Sequence, residues 1–381
     1  MSAERTERTM LQSVLKNGDI ISQQKFTQLI LDQKDIDSLT LLTMAYIPPR
    51  GDGGSVVKIH NHLLKLADLG TSVHVGMDYR YAYLIIPHTD FPNKLAHFFM
   101  DRRDIKAEEL RRTGIYEELA SHPNVELVFH GKGEYRFWPY SKFDHRKTLR
   151  VKGSSTQDFG VIYGFNMDKT LDHDVDSGVY ITDPKALEWM DQQQTKKQRS
   201  SPERVIFDDF AFTTRETTRR GGKLADQLIS NVIRGAERNL LFCGQFIPDG
   251  SVLNDLVSAD YRGVEVTIVS NGPFPSRQPL YVPTRMLAER KLARACRESK
   301  NMQFYMPKDP DTFVHMKALI ADIDDSSRTR AVTGTDNMAN QLLKRLKTRE
   351  IVVELLNHDH IGNLYAYIKN NVLPDVRRVE F

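Results

Sequence analysis

Residues 314–322 read VHMKALIAD, an apolar run that carries His315, Lys317 and Asp322. In a β-strand, residues two apart share a face. His315 and Lys317 are therefore expected to project together, while Val314, Met316 and Ala318 face the other way. Burying an ammonium group without a partner is costly, so the pair is expected to line a cleft that receives something anionic. The spacing occurs twice: residues 144–152 read DHRKTLRVK and place His145 and Lys147 in the same relation.

The elements around the two pairs repeat as well. Residues 39–50 (LTLLTMAYIPPR) and 239–250 (NLLFCGQFIPDG) are apolar runs closed by Ile-Pro, the pattern of a buried strand ending in a turn. Each leads into a helical pattern, SVVKIHNHLLKLADLG or SVLNDLVSADYRG, that ends on a glycine, Gly70 or Gly263. A short strand follows each, TSVHVGMD and VEVTIVSN. Downstream of the histidines, VIYGFNM (161–167) matches AVTGTDNM (331–338), with Asn166 21 positions after His145 and Asn337 22 after His315. An acidic residue then opens a further strand in each copy, Asp176 in DSGVYITD and Glu350 in EIVVELLN. The order strand–helix–strand argues for crossover connections in a parallel sheet. The expected fold is α/β, with two pseudo-symmetric lobes, each a mixed, mostly parallel sheet flanked by helices. The polar stretch MDQQQTKKQRSSPER (190–204) reads as a linker, which sets the lobes at 1–200 and 201–381.

Composition bounds the rest. The 381 residues suffice for one large core or two ordinary ones, and 27% charged with 40% hydrophobic content is a globular balance. A net charge of +3 permits a phosphate-bearing ligand without demanding one. Two cysteines, Cys243 and Cys296, leave no material for a disulfide framework or a cysteine-rich zinc site. The opening MSAERTERTM leads into no apolar signal region, and no apolar run reaches the roughly 20 residues that span a bilayer. The expectation is a cytoplasmic protein, with peripheral membrane contact open.

The paired motif resembles the signature of the phospholipase D superfamily, H-x-K-x4-D followed by a G-[GS]-x-N turn. The second copy matches with His315, Lys317 and Asp322, and then with Gly334-Thr335-Asp336-Asn337, threonine standing where serine is common. The first copy keeps His145, Lys147 and Gly164-Phe165-Asn166, but has Lys152 in place of the aspartate and Tyr163 where the first turn glycine is usual. LKNGDI (15–20) and residues 246–274 fall in the order seen in cardiolipin synthase-like members, so the resemblance covers nearly the whole chain.

This resemblance implies a phosphodiester chemistry in which both halves share one site. One imidazole attacks phosphorus and forms a phosphohistidine, which splits a hard step in two. The other protonates the leaving oxygen and then deprotonates the incoming water or alcohol. By family tendency His145 is the nucleophile and His315 the acid/base. Lys147 and Lys317 would hold the non-bridging oxygens, assisted by Asn166 and Asn337. The resemblance further implies that Asp176 and Glu350 each orient the histidine of the opposite half. The lysines supply the positive charge, so no metal or other cofactor is expected. The H-x-H pairs His60/His62 and His358/His360 lack a third ligand nearby in sequence, and Asp172, His173 and Asp174 read as loop residues beside the site. Asp322 reads as a structural hydrogen-bond partner.

Two stretches bear on the substrate. YRFWPYSKF (135–143) interleaves aromatics with cations directly before His145, a composition suited to a lipid interface or to a nucleic-acid single strand. The helical pattern PTRMLAERKLARACRES (283–299) sets a basic face over an apolar one. Three readings follow: a phosphodiesterase or phosphatidyltransferase acting on phospholipid, a metal-independent nuclease, and a catalytically weakened binding or scaffold protein, the last motivated by Lys152.

Overall fold

The structure is a computed structural model that describes residues 15–44, 46, 54–78, 116–130, 143–153, 157–167, 169–195, 203–215, 222–271, 282–309, 312–338 and 348–381. The aromatic–basic stretch 135–143, apart from Phe143, lies outside them, as does the expected boundary near residue 200.

The first lobe runs β1 (Ile20–Ser22), α1 (Gln23–Leu31), β2 (Ile36–Thr43), α2 (Ser55–Asp68), β3 (Ser72–Asp78), α3 (Glu117–Ser121), β4 (Val125–His130), β5 (Phe143–Asp144), β6 (Thr148–Gly153), β7 (Phe159–Tyr163), β8 (Asp174–Val175), β9 (Ser177–Ile181) and α4 (Pro184–Thr195). The second runs β10 (Arg204–Ile206), β11 (Phe210–Arg215), α5 (Gly222–Gly235), β12 (Asn239–Gly244), α6 (Gly250–Tyr261), β13 (Glu265–Ser270), α7 (Val282–Glu298), β14 (Met302–Pro307), β15 (Phe313–Val314), β16 (Lys317–Ala321), β17 (Arg330–Gly334), β18 (Thr348–Leu355), α8 (His358–Asn371) and β19 (Val376–Arg378).

One sheet has the spatial order β1, β9, β7, β6, β2, β3, β4, and the other β10, β11, β18, β17, β16, β12, β13, β14, β19. The repeats seen in the sequence become the same half-sheet twice. Along these two orders parallel pairing is confined to β2–β3–β4 and β12–β13–β14, and every other neighbour is antiparallel. The sheets are mixed as expected, but the expectation that they are mostly parallel is corrected. A crossover helix forces a parallel return, and that holds only for the first part of each lobe. The motif-bearing strands β6–β7–β9 and β16–β17–β18 instead run as meanders. The linker reading is also corrected in part: residues 190–195 close α4, with Met190 and Gln193 buried.

Side-chain alternation explains how two sheets share one interior. In β12, Leu240 and Phe242 join the core beneath α5 and α6, whereas Leu241 and Cys243 face the other lobe. In the first lobe, Val161 and Tyr163 of β7 join the core beneath α1 and α2, while Ile162 faces the second lobe. The central core built this way also takes up Ala186, Leu187 and Trp189 of α4 and Ile361, Leu364 and Ile368 of α8. The lobes are thereby docked through apolar surface removed from water, which fixes their relative position. Gly70 and Gly263 end α2 and α6 at φ +95° and +90°, the left-handed geometry expected of residues just past a helix end. No helix among the described residues is long and apolar enough to cross a membrane.

Candidate active site

Two short parallel ribbons stitch the lobes together, and the motif histidines project from them. β5 of the first lobe pairs with β18 of the second, Phe143 opposite Thr348 and Asp144 opposite Arg349. β15 of the second lobe pairs with β8 of the first, Phe313 opposite Asp174 and Val314 opposite Val175. In each ribbon the next N–H continues the pattern: His145 donates to the Arg349 carbonyl at 3.0 Å and His315 to the Val175 carbonyl at 2.9 Å. The residue after each of those carbonyls is an acid, Glu350 or Asp176. The motif is therefore not one unbroken strand, which corrects the reading of VHMKALIAD. The residue before each histidine pairs across the lobes, while Thr148 and Lys317 begin strands that pair within their own lobe. The chain changes its pairing partner between the residue before each histidine and the strand that follows.

The registers bring all four motif side chains and both acids together. His145 Nδ1 lies 2.8 Å from Glu350 Oε2, and His315 Nδ1 lies 2.6 Å from Asp176 Oδ2. Lys147 Nζ sits 3.4 and 3.2 Å from the two ring nitrogens of His145. Lys317 Nζ is 2.9 Å from His315 Nδ1 and 3.5 Å from Asp176 Oδ2, and it donates across the interface to the Gly164 carbonyl at 3.2 Å. All are buried; His145 and His315 retain 6% and 4% exposure, so the site is nearly dry but not sealed.

The asparagine turns are braced by different means. Phe165, beside Asn166, stacks on Tyr163 at 4.6 Å and meets Phe26 of α1 at 4.8 Å. Tyr163, the departure from the expected glycine, is thus a core residue, and its hydroxyl donates to the Leu42 carbonyl. Asp336, beside Asn337, is instead held by Arg215 at 2.5 Å, and Arg215 also reaches Asp226 at 2.7 Å. The side-chain oxygens of Asn166 and Asn337 are both buried without a hydrogen-bond partner among the described residues. The two carboxamides thus match in burial and in leaving an acceptor oxygen unmet. Glycine is required in both turns: a Cβ on Gly164 would meet the Asp176 carboxylate, and Gly334 holds φ +123° against the Ile351 carbonyl.

Electrostatics favour neutral imidazoles before a ligand enters. Burial and the ammonium groups of Lys147 and Lys317 hold His145 well below the usual imidazole range. Burial and Lys317 bring His315 down to about 4 against the pull of Asp176. Burial also lowers Lys317, while Asp176 and Glu350 oppose the shift. Glu350 moves the other way: burial and the nearby Asp336 push its carboxyl well above the ordinary range. The carboxylate contact at Nδ1 leaves Nε2 as the His145 ring nitrogen nearest the Lys147 ammonium, at 3.2 Å.

The remaining sequence candidates fall outside this centre. Asp322 takes φ +52° and accepts the backbone N–H groups of Glu237, Arg238 and Asn239, tying the start of β12 to the end of β16. Lys152, its counterpart, makes a surface ion pair with Asp191 of α4 at 2.9 Å. That pair accounts for the departure by a different local contact and leaves the half-site assembled. Asp172 accepts the Ser55 N–H at the start of α2, and Asp174 lies in the β8 ribbon. The H-x-H histidines serve separate contacts: His60 meets the Tyr46 hydroxyl at 3.0 Å, His62 the Gln33 carbonyl, and His360 lies 3.7 Å from Asp209. No group of three or more His, Cys, Asp or Glu side chains in a metal-binding arrangement occurs among the described residues.

Three residues at the site had been given no role from the sequence: Thr335, which belongs to the turn motif, and Asp78 and Asn271, which lie outside it. The Thr335 hydroxyl donates to Glu350 Oε2 at 2.6 Å and accepts the Ile351 N–H at 2.9 Å. Asp78, at the end of β3, accepts the N–H of Asp144 at 2.8 Å. Asn271, just past β13, accepts the N–H of Val314 at 2.9 Å and donates to its carbonyl at 2.7 Å. A signal for the last two was present, since Asp78 and Asn271 close the matched segments TSVHVGMD and VEVTIVSN.

The family described as "Cardiolipin synthase, PLD-like domain" matches residues 229–371. No curated protein matches the chain in sequence. Among solved structures, phosphatidylserine synthase of Haemophilus influenzae Rd KW20 aligns over 100% of this chain and 92% of its own, with TM-score 0.66 at 10% identity. Polyphosphate kinase of Porphyromonas gingivalis aligns over 92% of this chain with TM-score 0.50 at 14% identity, and the chain spans about half of that protein, 49%. Nuc of Salmonella typhimurium, a phospholipase D family member, aligns over 45% of this chain and 100% of its own, with TM-score 0.35 at 15% identity. Residues 229–371 thus match the family model described as a phospholipase D-like domain, and the chain as a whole shares the fold of that phosphatidylserine synthase.

Proposed function

We propose that the protein is a phosphodiesterase or phosphatidyltransferase that acts on phospholipid through a phosphohistidine and requires no metal. The observation that carries this reading is the crossed arrangement in which each imidazole meets the carboxylate of the opposite lobe and the lysine of its own. A phosphodiester anion entering between Lys147 and Lys317 places its non-bridging oxygens against two ammonium groups in a dry site, where such contacts are strongest. Its negative charge offsets the lysines that depress the imidazoles, so one ring can take up a proton when substrate arrives.

His145 Nε2 attacks phosphorus and the bond to the leaving oxygen breaks, with its electron pair on that oxygen. His315, protonated at Nε2, gives the proton to the leaving alkoxide. In the second half, neutral His315 takes a proton from water or an alcohol. The oxygen so activated bonds to phosphorus, and the N–P bond breaks to restore His145. Glu350 and Asp176 stabilise the charge that each ring gains in turn. Asn166 and Asn337 donate to the phosphoryl oxygens.

Lipid is favoured over nucleic acid by the family description and by α7. That helix exposes Met286 and Leu287 in its first turns and Arg290, Lys291, Arg294 and Arg297 beyond them. Exposed apolar side chains beside cations suit the headgroup level of an anionic membrane, whereas phosphate backbones need only the cations.

The test offers phosphatidylglycerol or phosphatidylcholine vesicles in one assay and labelled single- and double-stranded nucleic acid in another, both in excess chelator. Lipid turnover that disappears in His145→Ala is the expected result. Nucleic-acid cleavage with inert lipid would move the activity to the nuclease reading, and silence in both to a binding protein.

A further inference from the structure

The residue in front of each histidine is gripped from two sides, and only one grip is the cross-lobe ribbon. The other comes from a side chain at the end of a parallel strand of its own lobe. In the second lobe this is Asn271, whose Oδ1 accepts the Val314 N–H at 2.9 Å. Its Nδ2 donates to the carbonyls of Val314 and Gln245 at 2.7 and 2.9 Å. Beyond the end of β13, one carboxamide replaces a peptide group and prolongs the sheet by a residue, which pins Val314 in both directions. In the first lobe the equivalent place holds Asp78, fully buried, whose Oδ2 accepts the N–H of Asp144 at 2.8 Å.

We infer that Asp78 and Asn271 are positioning residues, which fix the peptide ahead of His145 and His315 and so set the approach of each imidazole to the acid of the opposite lobe. The inference rests on the function proposed above and deepens it. An imidazole has two side-chain torsions, and a hydrogen bond at Nδ1 settles those only if its Cα is already placed. Misplacement by about 1 Å costs on the order of 10²-fold in rate. The two grips also differ in chemistry. The Asp78 carboxylate accepts the Asp144 N–H, whereas Asn271 accepts and donates at once. A carboxylate at 271 would lose both donated bonds and face two carbonyl oxygens while buried.

The variants Asn271→Asp, Asn271→Ala, Asp78→Asn and Asp78→Leu are compared on bis(p-nitrophenyl) phosphate, whose leaving group departs without a proton donor. The expected result is that Asn271→Asp, though isosteric, lowers kcat by about 10²-fold, with KM falling alongside it because breakdown of the covalent intermediate limits turnover. Asp78→Asn, which keeps an acceptor, recovers most of what Asp78→Leu loses. Because Asn271 acts through His315, its variants accumulate phosphohistidine, seen as a mass increment on the intact protein. Asp78→Leu, acting through His145, slows formation and accumulates none.

A readout independent of turnover is the downfield imidazole Nδ1 proton of wild type by NMR, expected to weaken for His315 in Asn271→Asp and to persist for His145. If kcat falls only in step with the folded fraction in thermal melts, or if Asn271→Asp keeps both its downfield proton and its kcat, the inference is overturned. Should wild type process no phosphodiester, the proposed function fails while the NMR comparison still decides the positioning role.

Discussion

The two half-sites share a backbone and reverse their side-chain chemistry. At the first histidine the ribbon is charged: Asp144 takes two bonds from the Arg146 guanidinium at 2.8 and 2.6 Å, with Arg349 at 3.9 Å. The nearby asparagine turn is braced by the clustered rings of Phe26, Tyr163 and Phe165, the last two stacked. At the second histidine the ribbon pair beside the ring is apolar, Val314 opposite Val175, and its turn is braced by the Arg215–Asp336 pair. Each half thus uses one ionic and one apolar device, in opposite places. What both retain is the hydrogen-bond register that carries the histidine past the acid of the other lobe. That register, rather than any one surrounding side chain, is what assembles the chemistry.

The comparison is broken most severely at the histidines. His145→Ala and His315→Ala are each expected to lower kcat by about 10³-fold or more. Only His315→Ala should trap phosphohistidine when the leaving group is good, and the reverse pattern would exchange the two roles. The acids come next. Asp176→Asn and Glu350→Gln are expected to cost about 10²- to 10⁴-fold in kcat by analogy with the third member of a catalytic triad. Thr335→Val, which removes the hydroxyl bonded to Glu350, should cost less and provides a measure of how much that carboxyl depends on its support.

The ribbons differ in stability terms. Asp144→Ala leaves Arg146 and Arg349 buried beside no carboxylate at 144, and is expected to cost about 3–5 kcal/mol in urea unfolding. Val314→Ala in the apolar ribbon should cost about 2 kcal/mol. Equal losses in the two variants would dissolve the distinction between charged and apolar ribbons.

Acid sharpens the comparison further. His315 titrates near 4 in the folded protein against about 6.5 when unfolded, and His130, buried at the end of β4, is likewise lowered to about 4. Between those values the unfolded chain binds more protons, so stability rises with pH from about 4 to about 6.5 and is fully present above that window. A urea midpoint that stays level over this range in wild type would contradict neutral, buried imidazoles. The smallest effect belongs to Lys152. Its ion pair with Asp191 is partly exposed, at 45% and 29%, so Lys152→Ala should cost at most about 1 kcal/mol and leave catalysis unchanged.

Much of this was legible in the sequence, and for identifiable reasons. His145, Lys147, His315 and Lys317 stood out because side-chain direction in an extended chain follows from spacing alone. Gly70 and Gly263 marked helix ends because few other residues accept a positive φ. The mixed sheets, by contrast, were read as mostly parallel, since the crossover helices that signal parallel strands leave a stronger pattern than meanders do. The break at His315–Met316 was hidden because an apolar run looks the same whether it pairs with one neighbour or two. Asp78 and Asn271 were passed over because a polar residue at a strand end usually marks only a turn.

The sequence by itself determined the histidine–lysine pairs, their duplication and the alternation that lets each sheet face two cores, because these depend on order and spacing along the chain. Only the tertiary structure decided which acid meets which imidazole and what holds the histidines in place. Those contacts join residues 205 and 139 positions apart. They exist because apolar burial docks the lobes and the two ribbons then fix the register between them.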